Sequence, residues 1–306
     1  MDIEGNYWTT TELRQHGLSE HQITRFCRDG ILHRLTQGLY TRGAPEGLSM
    51  LRALHHRYPK LTFTGHSALS VYGGRNHVLH PATGTVPQGH RTPKGTHLLA
   101  RRTRRRDSTL VNGLPVVNPA AAVAGDQELD RVLRMKFLEQ QYGGFDGRRR
   151  FEADYRTLVR TERESLDLLL KRSVIGASSR MERFFHLDLR ARGIDSIPNY
   201  RLGPYTWDVG IEEGTVVVDL DSVRYHSSEQ TRAFIIDRWK ANHAEMEGWG
   251  HLQFTDLCLD DSSARKAALQ EIEQLLAHRR RTGRGAPVDG RVVDGVWKIH
   301  GHLREY

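Results

Sequence analysis

Cysteine is scarce: Cys27 and Cys258 are the two in 306 residues. They lie so far apart that neither a disulfide framework nor a cysteine-ligated zinc cluster is supported. No apolar run approaches the roughly 18 residues a membrane span needs, and the first residues carry no secretory pattern. A cytoplasmic protein without membrane attachment is therefore expected. A Gly-rich phosphate loop, a Gly-x-Ser-x-Gly elbow and internal repeats are also missing. P-loop nucleotide hydrolysis, α/β-hydrolase chemistry and solenoid architectures lose their usual signatures.

Positive charge, by contrast, is in excess. Lys and Arg number 45 against 37 Asp and Glu, a net charge of +8, a balance that favours polyanionic partners. The densest run is Arg101–Arg106 (RRTRRR). It reads either as a phosphate-binding track or as a solvated strand, because alternation along a strand splits it between two faces. A second run, His278–Arg281, leads into Thr282–Pro287 (TGRGAP), which reads as a flexible linker. The length leaves room for two or three domains.

Residues 1–45 carry a pattern of their own. Thr9–Glu12 (TTTE) is a helix start, and Gly17 stops that helix. Ser19–Gln22 (SEHQ) starts a second, running to Asp29 and Gly30, after which Ile31–Leu35, Thr36–Gly38 and Leu39–Arg42 read as strand, turn, strand. Two short helices and a hairpin make a winged helix-turn-helix. Its second helix is expected to expose His21, Thr24, Arg25 and Arg28 while burying Ile23, Phe26 and Cys27. The wing offers Arg34, Gln37 and Arg42 to phosphates. With Leu18–Ser19, Arg28–Gly30 (RDG) and Gly38–Tyr40 (GLY), the stretch resembles the N-terminal domain of AbiEi-type antitoxins of type IV toxin–antitoxin systems. The likeness continues through Thr62–Leu69 (TFTGHSAL) and Gly113–Ala120 (GLPVVNPA), although Asn118–Ala122 lacks the arginine usual in relatives. It implies DNA binding and a cognate toxin or defence partner protein; winged domains also serve protein–protein contacts.

In the C-terminal half, Thr206–Ile211 (TWDVGI) and Val216–Asp221 (VVVDLD) read as a hairpin. A two-residue turn at Glu213 and Gly214 sets Asp208 opposite Asp219, with Asp221 on the same face. A three-residue turn would instead put Asp208 opposite Val218. Like charges directly opposed on a sheet are destabilising, so the acids need a cation, a shared proton or open water. A divalent metal with oxygen ligands satisfies them and brings chemistry; a solvated hairpin end is the alternative. A helix opening at Ser179 presents Met181, Phe184, Phe185 and Leu189, and another from about Glu229 to Glu247 presents Phe234, Ile235, Trp239 and Met246 on one apolar side. Gly248–Gly250 then breaks the chain, and His251–Thr255 reads as a buried strand.

From about Ser178 to Arg281 this succession resembles the very-short-patch-repair-like endonuclease domains of the PD-(D/E)XK superfamily. The matching residues are Asp208; Asp219–Ser222 (DLDS); Tyr225–Ser228 (YHSS); Asp237–Asn242 (DRWKAN); Gly248 and Trp249; and Phe254 and Thr255. The resemblance implies that Asp208 and Asp219 ligate Mg²⁺ or Mn²⁺, and that Asp221 is a further ligand or holds a metal-bound water. It further implies that His226 is a general acid or base, that Lys240, helped by Arg238, offsets phosphate charge, and that Glu182 joins the metal's outer shell. Plainer roles stand beside these. Glu182 suits the acid of a capping box with Ser179, His226 a helix-entry residue, Lys240 a solvated helix position, and Asp237 a surface acid or a partner for His226. The chain departs from the family at Asp219, usually Glu, and at Ser222, usually Gly.

The expected organisation is a multidomain α/β protein: a winged helix-turn-helix over 1–45, an antitoxin-like α/β middle domain over 46–175, a PD-(D/E)XK-like α/β nuclease fold over 176–281, and a linker and tail over 282–306. Two functions are open. One is a metal-dependent DNA endonuclease, which the likeness of both halves connects with phage or plasmid defence. The other is a non-catalytic DNA-binding regulator or antitoxin-like protein with an inactive nuclease fold. No small-molecule substrate is expected.

Overall fold

The computed structural model describes residues 5–44, 46–73, 78–104, 107–126, 128–221 and 230–282. It is a mixed α/β structure with three separate sheets. The chain forms two compact units, Met1–Gln141 with Phe151–Lys171, and Tyr142–Arg150 with Arg172–Tyr306.

The first unit opens with β1 (Tyr7–Thr9), α1 (Thr10–Gln15), α2 (Glu20–Arg28), β2 (Leu32–Thr36) and β3 (Leu39–Arg42). Both helices start where side chains satisfy their otherwise unpaired N–H groups. Thr9 and Glu12 form one reciprocal capping box, Ser19 and Gln22 the other. Gly17 and Gly38 take left-handed backbone conformations, with φ of +83° and +74°, which end α1 and turn the hairpin. An added strand, β1, pairs antiparallel with β3 and gives the sheet order β1-β3-β2. Its Trp8 closes a small core with Leu13, Ile23 and Leu32, against which the half-buried Phe26 and Cys27 pack.

The unit continues with α3 (Gly47–Arg57), β4 (Thr62–Phe63), α4 (Gly65–Tyr72), β5 (Ala82–Pro87), β6 (Lys94–Gly95), β7 (Leu98–Thr103), β8 (Thr109–Val111), β9 (Leu114–Val116), α5 (Pro119–Ala124) and α6 (Arg131–Gln141). Its six strands are ordered β6-β7-β5-β4-β9-β8. Arg101 and Arg102 fall on β7, both exposed, while Arg105 and Arg106 lie outside the described residues. Asn118 caps α5 by accepting from the Ala121 N–H at 2.8 Å. Then come α7 (Gly147–Arg156), which crosses from one unit to the other, and α8 (Arg160–Leu170).

The second unit contains α9 (Arg180–Ala191), β10 (Ile197–Leu202), β11 (Tyr205–Ile211), β12 (Val216–Asp221), α10 (Gln230–Met246), β13 (Gly250–Thr255), α11 (Asp256–Asp260) and α12 (Ser262–Thr282). The sheet order is β10-β11-β12-β13; the first three strands are antiparallel and β13 runs parallel to β12, from Val216↔Gly250 to Asp221↔Thr255. A parallel neighbour requires a crossover, and α10 lies between these strands in the chain. Alternation sends Val209, Ile211, Val216, Val218 and Leu220 into a core with Phe185 and Leu189 of α9 and Ile272 and Leu276 of α12. Each such aliphatic or aromatic side chain contributes about 1.5–3 kcal/mol on full burial. On the other face, Trp207 and Val217 meet Ala244 of α10, with Tyr200 and Trp249 alongside.

Two expectations change here. Trp239 and Met246 do not form a buried apolar side of α10, being 62% and 84% exposed; among the described side chains the helix meets the core through the small Ala244, and those of Phe234 and Ile235 lie outside the description. Nor is His251–Thr255 a buried strand, since β13 is the edge of its sheet and its residues are half-buried or exposed. Among the described residues, no helix is long and apolar enough to cross a membrane. The linker and tail expected over 282–306 lie outside the described residues apart from Thr282.

Candidate functional site

The hairpin of the second unit adopts the register that places Asp208 and Asp219 in line. Val209↔Val218, Gly210↔Val217 and Ile211↔Val216 pair, and one step outward come Asp208 and Asp219. The turn differs from the two-residue form: Glu212–Gly214 make a 3-10 turn and Thr215 follows at φ +48°. A buried arginine from α12 fixes it. Arg279 donates to the Gly214 carbonyl at 2.7 Å, to Thr215 Oγ1 at 2.7 Å and to the Gly248 carbonyl.

At Asp208 the strand stops alternating. Val209 belongs to the core under α9 and α12, yet Trp207, two residues away, belongs to the core under α10. Strict alternation would put both on one face. The ladder between β11 and β12 ends at the same point. The Asp208 carboxylate turns into the opening, where Oδ2 accepts from the Leu220 N–H of β12 at 2.7 Å. Neighbouring polar groups hold the break. On β10, Asn199 adopts φ +48° and donates to the Gly176 carbonyl at 2.5 Å and to Ser178 Oγ at 3.1 Å. From α9, buried His186 lies 3.2 Å by Nε2 from the Asp208 carbonyl and 2.7 Å by Nδ1 from Ser196 Oγ. A carbonyl only accepts, so Nε2 carries the proton and Nδ1 accepts from the serine hydroxyl. Burial holds the His186 pKa down at about 4, so the ring is neutral near pH 7.

Asp219 is buried on the α10 face, and its Oδ1 is 2.5 Å from Lys240 Nζ. That ammonium also lies 4.4 Å from the centre of the Trp207 ring, within cation–π range. Lys240 is therefore a half-buried ion-pair partner and not a solvated helix residue. Burial pushes the Asp219 pKa up to about 7; Lys240 opposes the rise, while Asp208 and Asp221 add to it. Asp208 is raised as well, chiefly by burial and also by Glu182, with the Leu220 N–H and Lys240 opposing. Three acids thus bear electrostatically on Asp219 or Asp208 from β11, β12 and α9, as a shared site requires. Asp221 is half-buried two residues along β12.

Glu182 is buried, and its carboxylate accepts from the Ser178 N–H at 2.7 Å while its own N–H donates to Ser179 Oγ at 3.1 Å. It thus shares in capping α9, one residue out of step with a reciprocal box, and faces Asp208 at once. Arg238 is exposed and Asp237 half-buried on α10. His226 lies outside the described residues, as does Ser222.

Among the described residues no group of three or more His, Cys, Asp or Glu is arranged to cage a metal. The donor set that is present suits a different ion. Asp208 Oδ1 and Asp219 Oδ2 have no hydrogen-bond partner among the described residues, and Mg²⁺ typically binds through one or two carboxylates while keeping several waters. By donor type, two such carboxylate oxygens suit a hard, partly hydrated cation better than a closed four-ligand zinc site.

In the first unit the residues expected to contact nucleic acid are all exposed, and Thr24, Arg34 and Gln37 line one groove. His21, Thr24, Arg25 and Arg28 are exposed on α2, Arg34 on β2, Gln37 in the turn and Arg42 on β3. Arg25 and Arg28 both reach Asp29, at 3.5 and 3.3 Å. Thr24 returns its hydroxyl to the Glu20 carbonyl, and Arg42 lies 5.5 Å from the Trp8 ring centre.

His186, Ser196 and Asn199 support Asp208 and are absent from the residues the sequence motifs single out. A signal for His186 exists. It stands four residues after Glu182 and three before Leu189, so two polar residues occupy an otherwise apolar helical stripe. No family model matches the chain, and a search of curated proteins finds no match.

Proposed function

We propose that the protein is a cytoplasmic, DNA-binding, metal-dependent endonuclease. In this reading residues 1–45 form a winged helix-turn-helix, 46–175 an antitoxin-like α/β middle region, and 176–281 a PD-(D/E)XK-like nuclease domain. The observation that carries it is the break in β11, which turns the Asp208 carboxylate into the gap beside β12, where Asp219 and Lys240 stand. Mg²⁺ or Mn²⁺ held by Asp208 and Asp219 would supply a more acidic bound water and charge stabilisation at a phosphodiester. The chain's own residues do the positioning. Asp208 is fixed by Leu220, and His186 anchors its backbone carbonyl. Lys240 orients Asp219 and places positive charge beside the phosphate. Asp221 and Glu182 extend the acidic surround, and His226 is the proposed proton donor or acceptor. The exposed basic face of α2 and the wing holds the duplex through its backbone.

The test is cleavage of supercoiled plasmid with and without Mg²⁺ or Mn²⁺ by the wild type, Asp208→Asn and Asp219→Asn. Metal-dependent nicking by the wild type, with loss of at least about 100-fold in each variant and duplex binding retained, is the expected result. Cutting that is metal-independent and survives both substitutions contradicts it.

One observation favours a second reading, a non-catalytic DNA-binding regulator with a cognate toxin or defence partner. Asp219 already has a cation in Lys240, and as Asp it is a methylene shorter than the family's Glu. Tight duplex binding without cleavage of any substrate is the outcome that reading expects.

A further inference from the structure

A groove of about 700 Å³ in the first unit collects three arginines from three separate segments: Arg34 of β2, Arg57 at the end of α3, and Arg91 of the loop after β5. That volume lies in the range of ligand-binding clefts, about 300–1,000 Å³. Arg57 and Arg91 fall outside the helix-and-hairpin segment from which DNA contacts are expected. All three side chains are exposed, and none has a carboxylate partner among the described residues. The one acid in the groove wall, Glu20, is paired with Arg14. Arg57 is held in place without a counter-ion. Its guanidinium lies 5.3 Å from the Tyr58 ring centre and close against Gly38, where a Cβ would be 3.8 Å from Nε. Arg102 on β7 donates to the His90 carbonyl at 3.2 Å, which ties the Arg91 loop to that strand.

Unpaired guanidiniums gathered around a groove repel one another unless an anion joins them, and their forked donors match phosphate oxygens. The same groove is walled by Thr24 and Gln37, two of the expected DNA contacts, so its occupant is continuous with whatever α2 and the wing hold. From this juxtaposition we infer that the groove is a second phosphate-binding site, in which Arg57 and Arg91 grip the sugar–phosphate backbone of DNA that extends past the wing. The inference rests on the DNA-binding reading above and adds to it two contacts outside the winged segment.

The test measures binding of a fluorescein-labelled duplex of about 20 base pairs by anisotropy, from about 50 to 300 mM KCl. It compares the wild type, Arg57→Gln, Arg91→Gln, their double variant and Arg28→Gln. Each phosphate contact contributes about 0.9 to the slope of log K against log salt. The magnitude should therefore fall by roughly 0.9 in each groove variant and 1.8 in the double, with thermal melts unchanged because both side chains are exposed. Unchanged slopes in the groove variants alongside a reduced slope in Arg28→Gln overturn the groove while leaving DNA binding intact. No duplex binding by the wild type at any salt overturns both. Calorimetric titration with inorganic phosphate and with ADP separates the remaining source. Saturable binding of either that Arg57→Gln abolishes, with duplex slopes unaffected, assigns the groove to a small phosphate ligand and overturns the backbone claim.

Discussion

Lys240 is bound into the fold by an ion pair and a ring contact. It lies over Trp207 and against the carboxylate of Asp219, which is only 4% exposed. Two charges withdrawn from water in this way gain little over an apolar pair, but removing one partner strands the other. Lys240→Met is therefore expected to cost about 3 kcal/mol at pH 8, where the buried Asp219 must either stay charged without a partner or take up a proton. Asp219→Asn added to it should recover most of that loss by taking away the stranded charge. Urea unfolding followed by tryptophan fluorescence measures the cycle, and additive losses would show that the two residues do not interact. Counting along the hairpin singles out Asp208 and Asp219, whereas Lys240 comes from the resemblance alone. That Lys240 is an ion-pair partner was not legible, since its partner is 21 residues away in the chain.

The elements were legible where local rules suffice. Both N-terminal helices begin at capping boxes readable from four residues each. Counting leaves two hairpin registers open, and the observed pairing of Val209 with Val218 is the one that keeps Val209, Ile211, Val216 and Val218 on the core side. The break at Asp208 was hidden, because counting assumes unbroken alternation and the cause lies elsewhere, in Asn199 on the neighbouring strand and His186 on α9. Trp239 and Met246 lie exposed on α10; periodicity shows where apolar residues fall but not whether another element covers them. Capping also supports a prediction about acid. Burial alone would raise the Glu12 pKa, but the Thr9 N–H at 2.6 Å and His56 at 2.8 Å outweigh it and hold it at about 2. A carboxylate depressed on folding stabilises above its unfolded pKa, near 4.5, and loses that contribution as pH falls through its folded one. Glu12→Gln is expected to cost about 1 kcal/mol above pH 5, a gap that closes as melts are repeated toward pH 2. A gap independent of pH would mean that the charge of Glu12 contributes nothing.

At the scale of the whole chain, the length leaves room for more than one domain and the net charge of +8 favours polyanions, but neither traces the path of the chain. The backbone passes between the two compact units at 141/142, 150/151 and 171/172. Nothing local marks those crossings, since they follow from contacts between segments distant in sequence. Each unit has fully buried aliphatic residues of its own, such as Leu54 in the first and Ile272 in the second. Distinct cores predict distinct transitions, so a single two-state unfolding free energy should fail for this protein. Leu54→Ala and Ile272→Ala, each expected to cost about 2–5 kcal/mol, provide the check by differential scanning calorimetry. Leu54→Ala should lower one transition and leave the other in place; Ile272→Ala should do the reverse. If the proposed DNA binding holds, a functional consequence follows from the same division, because the exposed residues of α2, β2 and β3 lie in one unit and the carboxylates in the other. Ile272→Ala, measured below its lowered transition, should then leave duplex affinity at the wild-type value. One transition shifted equally by both substitutions would instead make the chain a single cooperative body, and destabilising either core would then carry DNA binding away with it.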